Sequence, residues 1–335
     1  MSRRKKNLFY KKKKNYKFCI AVFAIFLAVI SICYVAYNYN YYYYDAMIEV
    51  VNKVFGDDEV KEEVKKEYKD TDVMVNSNVT YGGSKYGIPA DKVQEIVNGN
   101  VIDDNKYVFL TFDDGPSPNT AKVLSILREK NVKATFFILG QNLDNNKNLK
   151  AVVKQCIEDG NAIGNHTYSH EFSKIYPNNS VNTSAYLEEF NKNNELLKSI
   201  LGDDFNTRVT RMPGGYLSRK YYNDPNLKEF DRTLNNNGIV SIDWTALNGD
   251  AEGKNYSEKE LLEYAKKSSQ GQKQIVILMH DTYGKEKTVE MLPDLIDYYK
   301  SNGYEFKTIM STKEQSGWRH AFQRRKQLCQ PCKRF

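Results

Sequence analysis

The 335-residue sequence predicts an α/β fold, a complete or imperfect (β/α) barrel of about seven parallel strands. Two observations predict the class. From residue 101 onward short apolar runs alternate with longer segments of helical periodicity, the order expected of β-α units. The runs are apolar throughout rather than at every second position, which marks strands covered on both faces. A third observation favours a barrel over an open sheet. Seven such units follow one another, and the polar residues able to do chemistry stand just after the runs, where barrel strands end.

The segments before the barrel differ sharply in composition. Residues 1–17 (MSRRKKNLFYKKKKNYK) carry nine Lys/Arg and no acid, and are expected in the cytoplasm. Residues 18–38 hold FCIAVFAIFLAVISICYVAY, about twenty uncharged positions, enough to cross a hydrocarbon core of roughly 30 Å. The basic flank orients this helix so that the rest of the chain lies outside the cell membrane. A cleaved signal peptide is the competing reading. The run exceeds an ordinary h-region and no A-x-A-like site follows, which favours a retained single-pass anchor. Residues 39–100 read as stem and linker, with a charged helical stretch over 45–72 and one short helix in ADKVQEIVNG.

The domain proper is expected over 101–311. Its strand candidates are YVFLTF, ATFFILG, AIGNH, RVTRM, IVSIDW, QIVILMH and YEFKTI. Helical periodicity fills the gaps, for example in NTAKVLSILREKN, VNTSAYLEEFNKNNELLKSILG and TVEMLPDLIDYYKSNG. Residues 312–335 form a basic tail in which Cys329 and Cys332 make a lone C-x-x-C, without the second pair a zinc site needs. Charge is equally uneven. Residues 1–17 and 318–335 hold 15 of the 49 Lys/Arg, and the remaining 34 face 42 acids. An enzyme of nucleic acids keeps its positive charge around its groove, so no nucleic-acid partner is expected.

Two adjacent acids, Asp113 and Asp114, end the run YVFLTF. Neighbouring carboxylates repel, so each needs a partner or a different protonation state. Three of the four histidines stand at other run ends: His166 and His170 in GNHTYSH, and His280 in LMH. On a helical turn the i, i+4 pair His166 and His170 would share one face at chelating distance. Asp114 would close a His-His-carboxylate set with a position open for water, as in catalytic zinc sites. Asp113 would then remain free beside that water as a base. The plainer readings are a polar turn at DDGP, solvated or core histidines in HTYSH, and a core Trp244.

TFDDGPS, HTYSH, RMPGGY, DWTALNGD and LMH, in that order, resemble the five motifs of the polysaccharide deacetylases, carbohydrate esterase family 4 or the NodB-homology domain. The resemblance covers roughly residues 101–310 and implies a distorted (β/α) barrel. It also implies metal-dependent removal of acetyl groups from a sugar polymer. By this resemblance Asp113 is the base, Asp114, His166 and His170 are the metal ligands, and Arg211 orients the base. The Gly214 N–H is an oxyanion donor and His280 the general acid, while Leu278 lines the acetyl-methyl pocket beside Trp244. Asp250 matches the acid that holds the histidine. The fourth motif departs from the usual pattern, with Ala251 where a second Trp often stands, so Asp243 is the alternative.

Together these readings describe a membrane-anchored, outward-facing deacetylase of GlcNAc residues in cell-wall peptidoglycan, using metal-activated water, an Asp base and a His acid. Zn2+ suits the His-His-Asp set best, and Co2+ or another first-row divalent ion can replace it. Chitin oligomers, an exopolysaccharide and acetylated xylan stay open as substrates. So does an inactive glycan-binding module, although a mere binder needs neither base nor acid.

Overall fold

The structure is a computed structural model that describes residues 68–311. The expected cytoplasmic segment, the anchor 18–38, the stem as far as residue 67 and the tail 312–335 lie outside the described residues. Among the described residues no helix is long and apolar enough to cross a membrane.

Strand β1 (Gly87–Pro89) and helix α1 (Ala90–Val97) come first. Strands and helices then alternate through β2 (Tyr107–Gly115), α2 (Pro118–Glu129), β3 (Thr135–Ile138), α3 (Lys147–Glu158) and β4 (Ala162–Asn165). A looser part follows: α4 (Phe172–Ile175), the long α5 (Thr183–Leu201), β5 (Val209–Thr210), α6 (Tyr216–Tyr221), α7 (Leu227–Asn236) and β6 (Val240–Ser241). The domain closes with β7 (Ala246–Leu247), α8 (Glu258–Ser268), β8 (Gln274–His280), α9 (Glu286–Ser301), β9 (Glu305–Phe306) and β10 (Thr308–Met310).

Seven strands lie in the order β6-β5-β4-β3-β2-β8-β7, with every pair parallel, and β9 pairs with the first residues of β2. The two edge strands are neighbours in sequence, since only residues 242–245 separate β6 from β7. That link spans at most about 18 Å, whereas the edges of a flat seven-stranded sheet would stand roughly 29 Å apart. The sheet therefore curls into a half-barrel, in keeping with the distorted barrel that the motifs imply.

Burial explains the apolar runs. On β2, Val108, Leu110 and Phe112 join an outer core with residues of α2, α3, α8 and α9. Tyr107 and Phe109 point the other way, into an inner core with Phe137, Val209, Val240 and Val276. Both faces are covered, so no polar alternation survives. Helix α1 fills the inside of the curl with Ala90, Val93 and Ile96.

Three expectations change. The segment 73–100, expected as linker, is part of the folded body: α1 plugs the inner core and β1 pairs with β10. Asn78 fastens the same segment by donating to the carbonyls of Ile163 and Ile309. The expected strand YEFKTI divides, β9 going to β2 and β10 to β1. The expected strand IVSIDW keeps only two residues in the ladder. Arg211 takes the carbonyls of Ile242 and Asp243, at 2.9 and 3.1 Å, and so withdraws them from strand pairing.

Candidate active site

Strand β2 runs past Phe112 and carries both acids at its end. Successive side chains of a regular strand point to opposite faces, so two adjacent acids would diverge. A break in register with β3 between Asp113 and Gly115, with φ of +67° at Asp114, prevents this. Such a bulge re-aims one side chain. Both carboxylates thereby stand within 4 Å of His166 Nε2, Asp113 Oδ2 at 3.8 Å and Asp114 Oδ1 at 3.4 Å.

His166 and His170 follow β4. They lie on a loop and not on the helical turn expected from their spacing, and the loop places Thr167 and His170 at φ of +69° and +58°. The imidazoles still converge, their ring centres 5.0 Å apart. His166 Nδ1 is 2.8 Å from the carbonyl oxygen of Arg211. A carbonyl only accepts, so Nδ1 carries a proton and the ring presents Nε2 to Asp114.

Asp114, His166 and His170 fit a cation. One ligand atom from each lies within 4.8 Å of the others. Metal–ligand bonds of about 2.1 Å at tetrahedral angles separate ligand atoms by roughly 3.4 Å. Asp114 Oδ1 stands 3.4 and 3.6 Å from the two Nε2 atoms, and is itself buried with no hydrogen-bond partner. Burial pushes the Asp114 carboxyl up, but the close His166 imidazole, then His170 and His280, draw it far below the usual range. The group is held as an anion, which is the ligand form.

Asp113 has a separate partner. Arg211, fully buried, donates from Nη1 to Asp113 Oδ1 at 2.9 Å and to Thr111 Oγ1 at 2.8 Å. Its guanidinium lies over Phe137, 4.3 Å from the ring centre, and 5.7 Å from that of Trp244. A buried guanidinium with its donors engaged holds its acceptors in fixed geometry. Asp113 thus keeps one oxygen tied to Arg211 and turns the other toward His166.

His280 ends β8 directly opposite Asp113 in register. Its Nδ1 is 2.7 Å from Asp250 Oδ1, and its backbone N–H donates to Asp250 Oδ2 at 2.9 Å. Thr288 Oγ1 donates to the same carboxylate. Burial alone would push the imidazole down, yet the Asp250 hydrogen bond and charge, with Asp113 and Asp114, raise it to about 9. Asp250, and not the alternative Asp243, therefore partners the histidine. Asp243 accepts from the N–H groups of Tyr216 and Leu217 and so caps α6.

The turn before α6 brings Gly214 and Gly215 in at φ of +74° and +81°. A Cβ on Gly215 would stand 2.8 Å from the Trp244 ring, so glycine lets Trp244 pack against the turn. The Gly214 N–H meets no acceptor among the described residues. Leu278 lies two residues before His280 on β8, on the same face of the strand, and is nearly buried.

Three residues at the site had escaped the sequence reading. Asp281 is fully buried between Thr120, which donates to its Oδ2, and Gly115, where a Cβ would meet its Oδ1 at 2.5 Å. Burial, with Thr120 opposing and Asp114 and Asp113 adding, raises its carboxyl to about 7. Glu189 and Asn193 of α5 are buried beneath the His166–His170 loop. In the sequence they belong to EEFNKNNE, which reads as a solvated helix face.

A cation cage with an oriented carboxylate on one side and a charged imidazole on the other is the layout of a hydrolase that activates water. Comparison with known proteins carries this further. The polysaccharide deacetylase family model matches residues 100–230. A peptidoglycan-N-acetylglucosamine deacetylase of Bacillus cereus is 30% identical over 211 residues, covering 61% of this chain and 69% of that protein. A Streptococcus mutans esterase of the same carbohydrate esterase family is 35% identical, with a TM-score of 0.66, over 72% of this chain and 99% of that one. A bifunctional xylanase/deacetylase of Pseudobutyrivibrio xylanivorans is 30% identical over 66% of this chain, which spans only 32% of that protein. The chain belongs to the polysaccharide deacetylase family, carbohydrate esterase family 4. Members of this family are metal-dependent hydrolases acting on carbon–nitrogen bonds other than peptide bonds.

Proposed function

We propose that this chain removes N-acetyl groups from GlcNAc residues of cell-wall peptidoglycan. One observation carries the reading: the ends of β2, β4, β5 and β8 bring together Asp114, His166 and His170, the Arg211–Asp113 pair and the Asp250–His280 pair. The B. cereus relative, a peptidoglycan-N-acetylglucosamine deacetylase, supports the choice of substrate.

Asp114, His166 and His170 would hold a divalent cation, zinc in this reading. When bound, that ion supplies Lewis acidity and water acidic enough to ionise near neutral pH. Asp113, positioned by Arg211, accepts the proton of the attacking water. The Gly214 N–H donates to the carbonyl oxygen as it gains charge, a contribution for which one such donor is worth roughly 3–4 kcal/mol. His280, kept charged by Asp250, protonates the departing amine. Leu278 and Trp244 flank the acetyl methyl. The products are acetate and a free glucosamine amine. The sequence of residues 18–38 supports an anchor that keeps the domain outside, within reach of the wall.

The test is acetate release from purified peptidoglycan, chitin oligomers and acetylated xylan, after chelation and after zinc is restored. Zinc-dependent release from peptidoglycan, with loss of one acetyl mass in its muropeptides, is expected. Release from xylan or chitin alone would move the substrate, and no release from any of the three would sink the enzyme reading.

A further inference from the structure

Nine non-glycine residues among those described have positive φ, and six of them are Asn. Asn enters this region most readily after glycine. The other three are Asp114, Thr167 and His170, all on the two segments that carry the cation cage. For the β-branched Thr167 the conformation is a real outlier. Strain of this kind persists only where the surroundings over-determine it.

Residues 166–170 are held by the turn after β3, where Gly140 and Gln141 donate to the Thr167 and Tyr168 carbonyls at 3.3 and 2.8 Å, and by one face of α5. Asn193, fully buried, donates from Nδ2 to the Thr167 carbonyl at 2.9 Å and to the Ile138 carbonyl at 2.8 Å. It also lies 3.2 Å from Asn165 Oδ1, which accepts the Thr167 N–H at 2.8 Å. One turn earlier Glu189 accepts both the N–H and the Oγ–H of Ser169, each at 2.7 Å, and Lys174 balances its charge. The His170 N–H closes back on Thr167 Oγ1 at 3.2 Å. Asn193 leaves its own Oδ1 without a partner, a cost that an apolar residue would not carry.

We propose that Asn193 and Glu189 are positioning residues: they clamp the strained 166–170 loop in its ligand-ready shape and thereby set the affinity for the metal. The proposal rests on the reading of Asp114, His166 and His170 as ligands. It assigns no contact between the clamp and the substrate. Partners that orient metal ligands typically change affinity 10–100-fold when removed.

Zinc affinity, measured by competition of the metal-free protein with a chelating dye, tests it. Asn193→Ala is expected to weaken zinc 10–100-fold while the metal-free circular dichroism stays that of the unaltered protein. Adding Thr167→Asn to Asn193→Ala should recover affinity at least several-fold, because Asn adopts the conformation without the clamp. A purely structural role for Asn193 would show no such recovery. Unchanged zinc affinity in folded Asn193→Ala, or no gain from the second substitution, overturns the proposal. If Asn193→Ala does not fold, Glu189→Gln decides: weaker zinc supports the clamp and unchanged zinc overturns it. An unaltered protein that binds no zinc would overturn the ligand reading, and the clamp with it.

Discussion

Asp113 and Asp114 are adjacent, and the bulge between them gives each a different partner. Their mutual repulsion is relieved by opposite means, a guanidinium for one and an imidazole pair for the other. His280 and Asp281 are a second adjacent pair with divergent environments. In the proposed reaction His280 acts protonated, so activity should be lost as pH rises through its pKa. Asp250 is the main group raising that pKa. In Asp250→Asn the alkaline limb of the kcat/KM profile should therefore move to lower pH. At pH 8 the rate should fall about 100-fold or more, the range of a lost general acid; an unmoved limb would show that Asp250 does not tune the acid. Asp281 is also raised, but its protonated form is the neutral one. Burial raises its folded-state pKa to about 7, above its unfolded value, so its favourable contribution is complete at low pH and fades as pH climbs toward 7. Thermal melts in chelator should find Asp281→Asn little changed near pH 4 and more stable than the unaltered protein at pH 8.

At the scale of elements, α1 and β1 do what the strands cannot do alone. A half-barrel has an open inside, and Ala90, Val93 and Ile96 fill it against Phe109, Phe137 and Val276. A chain beginning at residue 101, the boundary suggested by periodicity, would expose those side chains and strip β10 of its partner. It is expected to aggregate, while a chain beginning at residue 68 melts cooperatively; soluble, cooperatively melting protein from 101 onward would contradict this role for α1. Helix α5 shows the opposite economy. Its buried face holds apolar Tyr186, Phe190 and Leu197 and, between them, the polar Glu189 and Asn193 that reach the His166–His170 loop.

For the whole molecule, the site is a meeting of strand ends that lie far apart in sequence and side by side in the curled sheet. The cation would join β2 to β4, so binding should stabilise the fold as well as serve the chemistry. Zinc at 100 times its Kd is expected to add about 2.7 kcal/mol to unfolding stability. His170→Ala should abolish the accompanying rise in melting temperature without lowering that of the metal-free protein, because His170 is partly exposed. A zinc-induced rise that survives this substitution would place the ion elsewhere.

Much of this protein was legible in its sequence because it depends on local pattern. Continuous apolar runs marked β2, β3 and β8, periodicity marked α2, α3, α5, α8 and α9, and three histidines at run ends marked the cleft. Tertiary structure alone decided between Asp250 and the alternative Asp243 as the partner of His280, that residues 73–100 belong to the folded body, that the histidine pair sits on a strained loop, and that Glu189 and Asn193 are buried. These are properties of contacts between residues distant along the chain. Local periodicity cannot distinguish a solvated helix face from a polar face buried against another element, since both present the same residues at the same spacing.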